Sequence, residues 1–207
     1  MIARRRGLWV CLVILVSVAT GCSLTRPPLD RHTFALSVES LPPVHKPAVF
    51  PATLKVGRIS MQPPYGGTSL VYRAGDLRYE VDPYNGFVAS PGDLLGHEIA
   101  RWLGRVGLFT AVREPASPLT GDFVLEGLVT ELYGDTRDPQ KPVAVLSIQI
   151  SMRRASAEGG VVFEQAYAQR VAIENASPEA LVRGYGTALG KVLDALERDL
   201  AVLKLGG

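Results

Sequence analysis

The residues that commonly do chemistry are few in this chain and poorly placed for it. His32, His45 and His97 are scattered, and neither an HxxxH nor an HxxE spacing exists to seat a metal. His97 precedes Glu98, but adjacent residues on a helix point in different directions, so it reads as a partly exposed surface histidine. No GxSxG nucleophile elbow is present. The segment GYGTALGK (184–191) approaches a phosphate loop without becoming one: Gly186 leaves three residues before the Gly-Lys pair, Gly184 leaves five, and Val192 stands where magnesium needs a hydroxyl. Helix-borne Gly186 and Gly190 are better explained by close approach to a neighbouring element. Glu126 and Glu131, five apart on one strand, are expected on opposite faces as solvated or edge charges, not as a glycosidase pair. These readings predict no enzyme, no metal and no cofactor.

Two features carry more. LVYRAGDLRYEVDPYNGF (70–87) gathers Tyr72, Tyr79, Tyr84 and Phe87 with Arg73, Arg78, Asp76 and Asp82. It reads either as an aromatic-braced hairpin or as a partner-binding surface, because tyrosine and arginine are frequent interface anchors. The candidate partner-binding residues are Tyr72, Arg73, Tyr79, Tyr84 and Phe87. The second feature is Cys22. Arg4, Arg5 and Arg6 precede LWVCLVILVSVA (8–19), an apolar run well short of the ~20 residues that span a bilayer. A positive start, a short apolar core and small residues at the end form a secretory signal, here residues 1–21. Ala19, Thr20 and Gly21 before Cys22 resemble a bacterial lipobox, with Ala19 where leucine is usual. That resemblance implies a diacylglyceryl thioether, cleavage before Cys22 and acylation of the new amine. Cys11 would leave with the signal, so Cys22 has no disulfide partner in the remainder. At ~0.8 kcal/mol per buried methylene, one acyl chain holds weakly and several hold stably.

Without residues 1–21 the chain keeps 19 basic and 20 acidic residues. No basic tract remains, which argues against nucleic acid as a partner. Residues 22–31, with Pro27-Pro28, read as a tether, and Ser23 after the cysteine favours the outer membrane over the inner.

The elements that would position these residues belong to one domain, 32–207. Strands are expected at 32–38, 53–61, 69–73, 77–81, 108–114, 122–134, 141–155 and 161–173, with a three-residue loop at 74–76. Four prolines exclude 41–52 from the interior of a sheet. Ser90-Pro91 opens a helix that Gly107 stops, and Ser177-Pro178 opens a second with a stripe from Leu181 to Leu203. In 141–155, Ala144, Leu146, Ile148, Ile150 and Met152 alternate with Ser147, Gln149, Ser151 and Arg153, the pattern of a half-buried antiparallel meander. The expected fold class is α/β: a mixed, largely antiparallel sheet covered by two main helices.

The lipobox, "LKVGRISMQPPYGGTSLVYRAGDLRYEVDPYN" and "SPGDLLGHEIARWLGRVGLFTAV" together resemble the ABC-type transport auxiliary lipoprotein family, which includes the paraquat-inducible protein C type. The resemblance spans about residues 32–203 and is most specific at Leu70-Val71-Tyr72-Arg73, Tyr79 and Tyr84. Gly86-Phe87 stands where many members carry an Arg-Trp pair. It implies a domain similar to the amino-terminal domain of TolB. It also implies a non-enzymatic outer-membrane lipoprotein serving an ABC ATPase, a permease and a periplasmic mammalian-cell-entry (MCE) domain protein that move phospholipid or other hydrophobic molecules, with self-association expected. The alternative is an assembly lipoprotein paired with an outer-membrane β-barrel, of the lipopolysaccharide-assembly type. A lipid-modified hydrolase lacks the residues it would need. Replacing Cys22 with alanine is expected to abolish both acyl labelling and the shift to the processed form on a gel; normal processing of that variant would remove the anchor.

Overall fold

The computed structural model describes residues 30–44, 48–156 and 159–204; the signal-like segment, Cys22, nearly all of the tether and His45 lie outside them. The chain runs β1 (His32–Phe34), β2 (Phe50–Met61), β3 (Ser69–Arg73), β4 (Tyr79–Phe87), α1 (Pro91–Val106), β5 (Phe109–Arg113), β6 (Phe123–Asp135), β7 (Val143–Arg154), β8 (Val161–Ala172) and α2 (Pro178–Ala201).

The strands form one mixed eight-stranded sheet organised around β6. One edge of β6 is paired along its length with antiparallel β7, which in turn pairs with antiparallel β8. The other edge is shared. Its first half takes β2 in parallel, from Leu54↔Phe123 to Met61↔Val129, and its last two residues take β3, through Tyr72↔Gly134 and Arg73↔Asp135. β5 extends the β2 side and β4 with β1 extends the β3 side, so the sheet forks at the middle of β6. The long meander is antiparallel as its alternation requires, while β2 pairs in parallel with both neighbours.

Both helices cover one face. Leu95, Ile99, Trp102, Leu103 and Val106 of α1 and Leu181, Tyr185, Leu189, Val192, Leu196 and Leu200 of α2 are buried against Leu54, Val56, Leu125, Ile148, Ile150 and Met152. The ends of these helices follow local sequence. Pro91 occupies the first turn of α1, the Ser90 carbonyl accepts from Asp93 N–H and Leu94 N–H (both 3.1 Å), and Gly107 closes the helix at φ 72°. In α2 the Ser177 hydroxyl accepts from Ala180 N–H at 3.2 Å.

Three expectations need correction. The first strand stops at Phe34. Residues 35–38 then leave the sheet and cross the helices, with Leu36 and Val38 buried. Pro51 does lie within a strand, because β2 has a register irregularity between Phe50 and Thr53 where one ladder donor is not needed. Glu126 and Glu131 share a face. Val129 pairs with Ile148 and Glu131 with Ser147, so Thr130 is an extra, bulged residue that reverses the alternation. Before it Phe123, Leu125 and Val129 face the helices; after it Leu132 and Gly134 do. Glu131, Tyr133 and Asp135 therefore turn to the face that the helices leave open.

The crossing segment is held by a buried acid. Glu98, only 5% exposed, accepts from the Val38 N–H at 2.9 Å and pairs with Arg101, which also donates to the Val38 carbonyl at 3.1 Å. Gly186 lets α2 approach so closely that a Cβ there would collide with the Ser37 carbonyl, and Gly190 packs near Val38. The glycines of GYGTALGK thus seat a chain segment. Replacing Glu98 with alanine leaves the Val38 amide and Arg101 without their shared acceptor. The expected loss is about 2–3 kcal/mol, read as a lower urea midpoint together with faster exchange of the Val38 amide hydrogen.

Candidate partner-docking surface

The hairpin of β3 and β4 is rigid at its root and exposed at its tip. Arg73 pairs with Tyr79 in register, leaving 74–78 as the loop. Main-chain bonds from Ala74 and Gly75 to the Arg78 carbonyl (3.0 and 3.3 Å) close it. Arg73 spans it from inside, donating to the carbonyls of Asp76 (2.9 Å) and Gly75 (3.4 Å). Arg78 and Glu80 pair at 3.3 Å on the outside.

Strand alternation divides the five candidate residues between two faces. Tyr72 lies over Gly134 beside Leu181, on the helix-covered side, and burial, with Asp82 and Glu179 nearby, pushes its hydroxyl pKa up to about 12. Phe87 is 4% exposed, its ring 6.2 Å from that of Tyr185. Tyr72 is half-buried against the core, and Phe87 is a core residue. Gly86, before it, passes the Thr68 carbonyl so closely that a Cβ would come within 2.5 Å, so a larger residue does not fit here without movement.

Arg73 and Tyr79 belong to the open face. The Tyr79 ring meets Tyr133 edge-on at 5.6 Å, Tyr65 stacks on Tyr133 at 6.1 Å, and the Arg73 guanidinium sits 5.7 Å from the Tyr79 ring centre. Tyr65 and Tyr133 are buried by this arrangement although they lie away from the helices. Desolvation, with Tyr79 adjacent, holds the Tyr65 hydroxyl well above the usual tyrosine range. Glu131 closes the base of the cluster, accepting from Ser147 Oγ at 2.6 Å and Tyr133 Oη at 3.4 Å. The structure thus makes the aromatic-braced hairpin from Tyr79, Tyr65 and Tyr133, two of which were not among the candidates.

Tyr84 points to solvent. The Asp82 carboxylate accepts from the amides of Tyr84 (2.8 Å) and Asn85 (2.9 Å) and from Asn85 Nδ2 (3.0 Å), fixing the turn that displays it. Leu77 is 96% exposed, Val81 57%, Tyr84 53% and Tyr79 39%. Tyr79 and Val81 lie on one side of β4, and Leu77 precedes them in the loop. An apolar group of this kind in solvent is unusual and fits contact with another molecule. The signal was available in LRYEV: apolar residues at 77, 79 and 81 alternate with Arg78 and Glu80.

Beside the hairpin, Asp135 is buried among cations. Arg137 approaches it through Nε and Nη2 (both 2.9 Å) and Arg170 through Nη2 (2.7 Å), while Arg137 reaches Asp76 in the hairpin loop at 3.2 Å. Hydrogen bonds from Arg137, and then Arg170, hold the Asp135 carboxyl far below its ordinary value of 3.8. His97 lies on α1 with Nδ1 3.6 Å from Glu114 Oε2, on the rim of a 620 Å³ cleft between β2, α1 and residues 114–116. Among the described residues no group of three His, Cys, Asp or Glu side chains is arranged to hold a metal, and no helix is long and apolar enough to cross a membrane.

Comparison with known proteins gives the fold. The chain is similar to protein XCC0632 from Xanthomonas campestris, of the DUF330 family, with a TM-score of 0.69 and 16% identity over 83% of this chain and 95% of that one. A second solved structure, of an uncharacterized protein, has a TM-score of 0.61 and 16% identity over 81% and 99%. Lipoprotein GNA1162 from Neisseria meningitidis follows at 0.43 and 15%, over 73% and 99%. No protein-family model and no curated protein matches the sequence. At such identities the likeness to the first two speaks for the fold alone.

The Asp135 cluster has a pH signature. The unfolded carboxyl takes up a proton near its ordinary value of 3.8 and the folded one does not. The stabilisation is therefore complete above that range and is lost as pH falls below it. Asp135→Asn is expected to lower stability at pH 7 by about 2 kcal/mol and to flatten the decline between pH 5 and pH 2 in urea titrations.

Proposed function

We propose that this chain is the non-catalytic, lipid-anchored auxiliary component of an ABC/MCE-type transport system. In this reading it docks the periplasm-spanning part of the transporter at the outer membrane, where phospholipid or another hydrophobic molecule is passed on. The observation that carries docking is the set of exposed apolar side chains on one hairpin, Leu77, Tyr79, Val81 and Tyr84. It is displayed by a hairpin whose loop, turn and root are each fixed by hydrogen bonds, so little ordering entropy is lost on contact. Supporting it are the lipobox-like sequence at Cys22, the resemblance of residues 32–203 to auxiliary lipoproteins and the absence of a recognisable nucleophile-and-base pair in the sequence. Catalysis in such a system belongs to the ATPase, and this chain's part is position and affinity.

The test is a photo-crosslinking residue placed in cells at Leu77 or Tyr84, with Lys191 on α2 as control, followed by mass spectrometry of the adduct. An MCE-domain protein captured from 77 and 84 but not from 191 supports the proposal. An outer-membrane β-barrel captured instead points to the assembly-lipoprotein alternative, and equal capture from all three positions removes the hairpin as a docking site. Leu77→Asp and Val81→Asp are expected to cut recovery of the partner at least tenfold while the melting temperature stays within ~2 °C.

A further inference from the structure

The edges of a sheet are where a fold must manage unpaired backbone groups. Two outer strands here are short: β1 has three residues and β5 five. β8 has twelve, and among the described residues it pairs only with β7. Its protections along Phe163–Ala172 are limited to two charged side chains, Glu164 and Arg170. There is no proline and no lysine, and the ladder to β7 is in continuous register from Phe163↔Met152 to Ala172↔Val143.

The backbone directions follow from the ladder. Ile173 N–H donates to the Pro142 carbonyl across to the β7 side at 3.0 Å. By antiparallel alternation the odd-numbered residues of β8 turn their N–H and C=O groups toward β7, and the even-numbered residues turn theirs outward. The Ala166 carbonyl accordingly accepts from a side chain, Gln165 Nε2 at 3.3 Å. Glu164, Ala166, Ala168 and Arg170 therefore present an outward row of donors and acceptors, and their side chains stand on the face away from the helices, all exposed.

That row is complementary to itself. In an antiparallel pair with a twofold axis at Tyr167, Ala166 faces Ala168 of a second copy and Glu164 faces Arg170. Both pairs exchange hydrogen bonds through outward-turned groups, and the alanines let the strands approach. Moving the axis one residue either way sets Glu164 against alanine. An axis at 164 or 170 sets like charges against each other. Only the Tyr167 register unites the two charges. Arg170 gives Nη2 to Asp135 and retains further guanidinium donors for the facing carboxylate.

We propose that β8 is a self-association edge, and that two copies of this chain pair antiparallel through Glu164–Arg170 about Tyr167, making one continuous sheet. This goes beyond the transport reading and does not depend on it, since the hairpin lies on the other limb of the sheet.

The test uses the lipidated chain purified in detergent, with mass measured by light scattering. The native chain is expected as a dimer. Glu164→Arg sets two arginines face to face and is expected to raise the dimer dissociation constant at least tenfold, with an unchanged melting temperature for the monomer. Glu164→Asp is expected to retain the dimer. An Ala166→Cys/Ala168→Cys chain is expected to give a covalent dimer on a non-reducing gel, where Ala166→Cys/Ala172→Cys gives none. A native monomer, an assembly indifferent to Glu164→Arg, or equal crosslinking by both cysteine pairs would overturn the proposal.

Discussion

One surplus residue in β6 sets the plan of this molecule. A strand alternates strictly, so without an interruption Leu125 and Leu132 would face opposite ways and one of them would lie in water. The bulge at Thr130 keeps apolar side chains of both halves under the helices. The residues between them in phase (Glu131, Tyr133 and Asp135) must then collect on the other face. Everything notable about that face follows from this placement. Tyr133 needs cover and receives Tyr65 and Tyr79; Asp135 needs counter-charges and receives Arg137 and Arg170. Because Arg137 also holds Asp76, the hairpin is tied to the sheet by the same requirement that buries the acid.

The bulge coincides with the fork in the sheet. β2 leaves the edge of β6 at Val129 and β3 joins it at Gly134. A bulge adds local twist, and the two limbs of the sheet part within a few residues of this one. The β3–β4 limb has just two backbone pairs to β6, so its position depends on side chains: Tyr72 against Leu181 on one face, and the tyrosine cluster with Arg137 on the other. A hairpin fixed in this manner is ordered without being deeply embedded.

What the sequence made legible was local. The limits of α1 are written in Ser90-Pro91 and Gly107, and the meander in the alternation of Ala144 to Met152, because caps and period involve neighbours along the chain. The register of β6 was not legible. Thr130 carries no glycine or proline to mark a bulge, and the shift is decided by what lies across the strand on β7. For the same reason Glu131 read as a solvated charge, although Ser147 and Tyr133 bind it. Tyr72 and Phe87 looked like surface anchors because aromatic residues in a hairpin give no hint of which face a later helix will cover. Leu77 and Val81 do form a local pattern, apolar residues alternating with Arg78 and Glu80 from the hairpin loop into β4.

The segment from His32 to Val38 has a mechanical meaning. It enters the sheet parallel to β4, through three residue pairs, and then passes under α2 at Gly186 to the Glu98 carboxylate. A tensile load applied at Arg31 along the strand axis is borne by all three β1–β4 pairs at once in shear, and whatever passes them meets the buried acceptor at Val38. The fold thus carries two latches in series at its amino-terminal end. Force arriving there would load β1 first and then the crossing segment, which hands it to α1 through Glu98 before it reaches the meander.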